Sequence, residues 1–126
     1  MQFPQLHLPE ESFGARGEEI ACDFLKRNGY RICVRNFRTK IGELDIICTR
    51  VRTYYFVEVK TMKVGNDAYV PEMHFTHEKL QKMQRSALLY FKSVRMSPET
   101  AMQFDLIAVE LSDDGAVSAL RHYENL

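Results

Sequence analysis

The stretch "GELDIICTRVRTYYFVEVKT", residues 42–61, decides how the rest of the chain is read. Two runs rich in Ile, Val, Tyr and Phe flank a short "RVR" segment, the pattern of two strands joined in an antiparallel hairpin. Side chains alternate across a strand. Glu43, Asp45 and Ile47 are therefore expected on one face of the first run, with Leu44, Ile46 and Cys48 on the other. In the second run Glu58 and Lys60 share a face with Tyr54 and Phe56, while Tyr55, Val57 and Val59 point the opposite way. If the strands are neighbours, Asp45 and Glu58 come within reach of one bridging cation. Burying such carboxylates is costly without a partner, and a divalent ion is an effective one.

Working outward, residues Ser12 to Asn28 read as a helix capped by Ser12, with an apolar stripe at Ile20, Ala21, Phe24 and Leu25 and a stop at Gly29. "YRICVRNF" follows as a strand with a basic outer face. After the hairpin, "VGNDAYVPEMHF" reads as a loop. Thr76 then caps a helix running to about Ser93, whose Leu80, Met83, Ala87, Tyr90 and Phe91 form a core stripe. "MQFDLIAVEL" and "VSALRHY" are two further strands joined through "SDDGA". The order α-β-β-β-α-β-β predicts an α/β (α+β-like) fold with a central mixed sheet flanked by helices. Residues 1–11 are expected as an N-terminal extension and 12–126 as one domain.

An apolar content of 45% argues against disorder, and 27% charged residues argue against a membrane class. No run approaches the ~20 apolar residues of a spanning helix. The start "MQFPQLHLPEE" lacks the basic end and apolar stretch of a signal peptide, so a cytoplasmic location is expected. Cys22, Cys33 and Cys48 are odd in number and widely spaced, which reads as buried reduced thiols. His74 and His77 lack further ligands nearby in sequence and read as loop residues rather than a zinc pair. The net charge is zero, but residues 26–40 carry Lys26, Arg27, Arg31, Arg35, Arg38 and Lys40 and no acid. Such polarity allows one basic face suited to phosphates, or simply solvated charges on separate surfaces.

The first helix offers a third carboxylate. Glu18 edges the inward stripe, whereas Glu19 lies on the solvated side. Gly14 and Gly17 in that helix's early turns suit close approach to another backbone, either at a site or in tight helix–sheet packing. Carboxylates such as Glu18, Asp45 and Glu58 suit Mg²⁺ or Mn²⁺, and Lys60 beside them can position water or stabilise charge on a phosphate. By itself E-x-K is weak, arising by chance about 0.4 times in this length if Glu and Lys are each about 6% of residues. An Asp upstream of it, with both inside apolar strands, is more informative; surface ion pairs are the alternative.

"GARGEEIACDFL", "RNFRTKIGELDII" and "FVEVKT" together resemble the signature blocks of the YraN/UPF0102 family, which belongs to the restriction-endonuclease-like PD-(D/E)xK nuclease superfamily. "THEKLQKMQRSALLYF" and "QFDLIAVEL" follow the family order, so the resemblance spans roughly residues 12–111. It implies a mixed sheet with an acidic metal site, distantly similar to that of archaeal Holliday-junction resolvases. It also implies catalytic Glu18, Asp45, Glu58 and Lys60. The metal would be Mg²⁺ or Mn²⁺, held by Asp45, Glu58 and the Val59 carbonyl, with Glu18 as a further ligand. Met62 and Gln103 stand where family members often carry basic residues, and Asp105 matches a family position. The expected activity is hydrolysis of phosphodiester bonds in DNA, with branched or damaged DNA as candidates. Arg31, Arg35, Arg38, Lys40 and Lys63 would contact phosphates. A non-catalytic nucleic-acid-binding module and a protein adaptor are the alternatives, and the sequence leaves dimerisation open.

Overall fold

The computed structural model describes residues 10–65 and 75–126. Helix α1 (Glu10–Arg27) leads to strands β1 (Arg31–Arg38), β2 (Glu43–Arg50) and β3 (Thr53–Lys63); helix α2 (His77–Ser93) precedes β4 (Met102–Leu111) and β5 (Val117–Tyr123). The strands form one sheet in the order β1-β2-β3-β4-β5. β3 and β4 pair in parallel and all other neighbours antiparallel. This is the expected mixed sheet. Parallel neighbours need a long connection, and α2 lies within the one between β3 and β4. No helix among the described residues is long and apolar enough to cross a membrane.

Each helix covers one face. α1 packs Ala21, Cys22 and Leu25 against Ile46, Cys48, Tyr55, Val57, Ile107 and Val109. α2 packs Met83, Ala87, Tyr90 and Phe91 against Leu44, Ile47, Phe56 and Phe104, so its Met and aromatic stripe is core. Thr76 caps α2 by accepting the Lys79 N–H at 3.2 Å. Gly29, at φ 86, ends α1, and the Tyr30 N–H returns to the Leu25 carbonyl.

Several expectations are corrected. α1 begins at Glu10, so Ser12 lies inside its first turn instead of capping it. Cys33 is exposed rather than buried, because the register of β1 on β2 shifts between Ile32 and Val34 and leaves it as the extra residue. Residues 66–74 of the expected loop, His74 included, lie outside the described residues.

The two helix glycines differ. A Cβ at Gly17 would collide with the Thr61 hydroxyl of β3, whereas a Cβ at Gly14 meets nothing within 4 Å. Close helix–sheet approach therefore rests on Gly17 alone. Gly17→Ala is expected to destabilise the protein by about 1–3 kcal/mol through overpacking, and Gly14→Ala to stabilise it by up to about 1 kcal/mol through helix propensity. Urea denaturation of both variants checks this; equal shifts would contradict it.

The β2–β3 turn is a two-residue one with Val51 and Arg52 at φ 48 and 65, a left-handed pair that suits Asn-Gly. Val51 is 89% exposed and has no packing to offset that conformation. Replacing the pair by Asn-Gly should raise stability by about 1 kcal/mol or more. A lowered melting temperature would show that the turn residues have another role.

Candidate functional site

The site begins at one irregular rung. β2 pairs with β3 from Arg50↔Thr53 as far as Ile46↔Val57 and no further, although Asp45 and Glu58 are the next positions. There β2 departs from regular alternation: Leu44 packs on the α2 side and Ile46 on the α1 side. The expectation that Leu44 and Ile46 share a face is thereby corrected. β1 makes the same change, since Phe37 pairs with Leu44 and Arg35 with Ile46, while Asn36 between them adopts φ 54. Asparagine tolerates that left-handed conformation better than most residues. Asp45, at the crossing point, accepts the Val59 N–H on Oδ2 at 2.9 Å. Its side chain thus replaces the missing ladder bond.

Three further carboxylates surround Asp45. Glu18 comes from α1, Glu43 from the start of β2 and Glu58 from β3. Turned so that its nitrogen faces the acids, the Asn36 amide donates to Glu18 Oε2 at 3.0 Å and to Glu43 Oε1 at 2.9 Å. Lys60 Nζ lies 3.4 Å from Glu58 Oε1, and Glu58 Oε2 is buried without a hydrogen-bond partner. Burial pushes the Asp45 carboxyl up to about 6; the Val59 N–H opposes this, and the charges of Glu18, Glu58 and Glu43 add to it.

Asp45, Glu58 and Lys60 line a cleft of about 310 Å³ between the sheet and α2. Its other walls are Ile41 to Leu44 and, from α2, Lys79, Lys82, Met83 and Ser86. The β1–β2 loop is held by Thr39, whose hydroxyl accepts the Ile41 and Gly42 N–H groups and lies 3.1 Å from the buried Ser86 Oγ. That link fixes the cleft wall to the helix.

Glu18, Asp45, Glu58 and Lys60 are thus gathered in one region, although Glu18 does not line the cleft. Val59 contributes its N–H to Asp45. The basic residues are more scattered. Arg35 shares its rung with Ile46 on the α1 side, and its charge reaches Cys22 there. Arg31 follows the alternation to the opposite face. Arg38 lies 3.8 Å from Glu43, Lys40 is in the β1–β2 loop, and the Lys63 ammonium lies over the Phe13 ring at 5.0 Å. The bulge and the turn at Asn36 therefore divide the basic face expected for β1.

A second polar cluster was not foreseen. Asp105, 0% exposed on β4, accepts Gln103 Nε2 and the Asn125 N–H on Oδ1 and shares a 2.9 Å hydrogen bond through Oδ2 with His122 Nε2. These donors hold its carboxyl below the usual range despite burial. With Glu124 it makes the one group of three metal-capable side chains, among the described residues, whose ligand atoms lie mutually within 4.8 Å. Glu18, Asp45 and Glu58 are not that close. Asp105 was visible as an acid in an apolar strand, but its partners depend on the β4–β5 register.

A model of the family described as "Uncharacterised protein family UPF0102" matches residues 17–109. The chain belongs to the UPF0102 family. A UPF0102 protein of Syntrophomonas wolfei is 39% identical over 113 residues, covering 89% of this chain and 94% of the relative. Another, from Geotalea daltonii, is 40% identical over 116 residues, covering 91% and 88%. The segment matched by the UPF0102 model contains Glu18, Asp45, Glu58, Lys60 and Asp105 but stops before His122 and Glu124.

Because folding favours the protonated Asp45, its contribution to stability is full below its ordinary value of 3.8 and is lost as pH rises through about 6. Asp45→Asn keeps an acceptor for Val59 and removes the charge. With chelator present, it is expected to be more stable than the parent by on the order of 1–3 kcal/mol at pH 8. That gain should shrink toward zero near pH 4. Denaturation across pH checks this, and a gain independent of pH would contradict it.

Proposed function

We propose that the chain is a Mg²⁺- or Mn²⁺-dependent endonuclease that hydrolyses phosphodiester bonds in DNA, with branched or damaged DNA as candidate substrates. The observation that carries this reading is Glu58 Oε2, a buried carboxylate oxygen without a protein partner, next to an Asp45 whose charged form is disfavoured first by burial and then by three neighbouring acids. A hard divalent cation satisfies both, and carboxylate oxygens are the donors it prefers. Asp45 and Glu58 would hold it; Glu18 and the Val59 carbonyl are the further ligands that the resemblance implies, and Glu18, outside the cleft, would have to swing toward it to join them. When bound, such a cation supplies Lewis acidity toward a phosphate. The Lys60 ammonium stands at the same cleft to orient water and to stabilise charge developing on phosphate oxygens.

One observation favours a second reading, a nucleic-acid-binding module without turnover. The 3.4 Å contact between Lys60 and Glu58 is a sufficient charge partner for Glu58 in the absence of any metal. The discriminating experiment is cleavage of single-stranded, duplex and four-way-junction DNA with Mg²⁺ or Mn²⁺. The parent is expected to cut at least one substrate, and Glu58→Ala and Lys60→Ala to lose 10²-fold or more in rate, on the order of a lost electrostatic contribution at an active site. Binding without cleavage in every metal favours the module, and equal cutting by parent and variants retires the nuclease site.

A further inference from the structure

Building on the nuclease reading, we propose that Lys79, Lys82 and Arg85 on α2 form a phosphate track that carries one nucleic-acid strand into the acid cleft. Lys79 and Lys82 face Asp45, Glu58 and Lys60 across that cleft. Lys82 also borders a second groove of about 620 Å³ with Glu78, Gln81, Gln84, Arg85 and Leu88. One side chain therefore joins both concavities. The three cations recur every third residue along one helix and span about 9 Å, the axial length of two to three phosphates on one strand at about 3.4 Å each.

The edge strand is poorly placed for this task. Arg31, Arg35, Arg38, Lys40 and Lys63 do not line the cleft, and Arg31 and Arg35 face opposite ways. Met62 is buried on β3, leaving Lys60 as the β3 cation that lines the cleft. Gln103 spends its amide on Asp105. Glu78, 3.9 Å from Lys82, is exposed and forms only a weak pair that a phosphate can displace. A positively charged groove tracks the backbone of a single strand without reading its sequence.

The test is binding of a fluorescein-labelled single-stranded DNA oligonucleotide in chelator, measured against salt concentration. Replacing Lys79, Lys82 and Arg85 together by Gln is expected to lower the log–log salt slope by about 2, at roughly 0.7 per lost phosphate contact on a single strand. Replacing Arg31 and Arg35 by Gln should change it by less than half as much. Circular dichroism confirms that both variants are folded. An unchanged slope in the α2 variant, an equal loss in the β1 variant, or no strand binding by the parent at low salt overturns the track. Mn²⁺ uptake by the parent, followed by electron paramagnetic resonance, separates the two ideas. Uptake without strand binding overturns the track and leaves the metal centre standing. Slope-sensitive binding without uptake supports the track and retires the nuclease reading.

Discussion

The hydrogen bond from the Val59 N–H to Asp45 Oδ2 is the interaction on which the candidate site depends. A regular β2–β3 ladder would have placed Asp45 and Glu58 on one rung with ordinary backbone pairing. Instead the ladder ends one rung early, and a side-chain oxygen takes the place of a backbone carbonyl. The departure is matched on the other side of β2, where Asn36 turns left-handed and lets β1 change face in step. Its amide then bridges Glu18 and Glu43. A local break in strand periodicity thus gathers carboxylates from α1, β2 and β3.

Two aspartates in apolar strands show how environment decides what such a residue can do. Asp105 receives three donors, and they outweigh its complete burial, keeping it charged and below its usual range. Asp45 receives one donor against burial and three acids, and is pushed up to about 6. The first environment is satisfied by the protein. The second calls for an external cation, or a proton at acid pH. This contrast favours the cleft over the closer-packed Asp105, His122 and Glu124 group as the functional centre, even though the latter has the tighter ligand spacing.

Much of this was legible in the sequence. The order of elements, the Gly29 stop, the Thr76 cap and the two core stripes follow from periodicity and capping chemistry. Glu18, Asp45, Glu58 and Lys60 stand out as charges in or beside apolar segments, and the resemblance to the UPF0102 blocks points to the same four. What could not be read depends on departures from periodicity. Strict alternation placed Leu44 with Ile46, and nothing in "ELDII" announces that the strand changes face at Asp45. The same change at Asn36 divided a basic strand that reads as one-sided, and the cleft lysines of α2 look like ordinary solvated positions until the helix is set against the sheet. His122 lies 17 residues from Asp105 and meets it only through the β4–β5 pairing.

In the proposed function, Asp45 and Glu58 form a divalent-cation centre. Crystals grown with Mn²⁺ and measured at a wavelength that excites its anomalous scattering test this directly. An anomalous peak is expected between the Asp45 and Glu58 carboxylates, lost in crystals of Asp45→Asn. A peak at Asp105, His122 and Glu124 with none in the cleft, or no peak at saturating Mn²⁺, would contradict it.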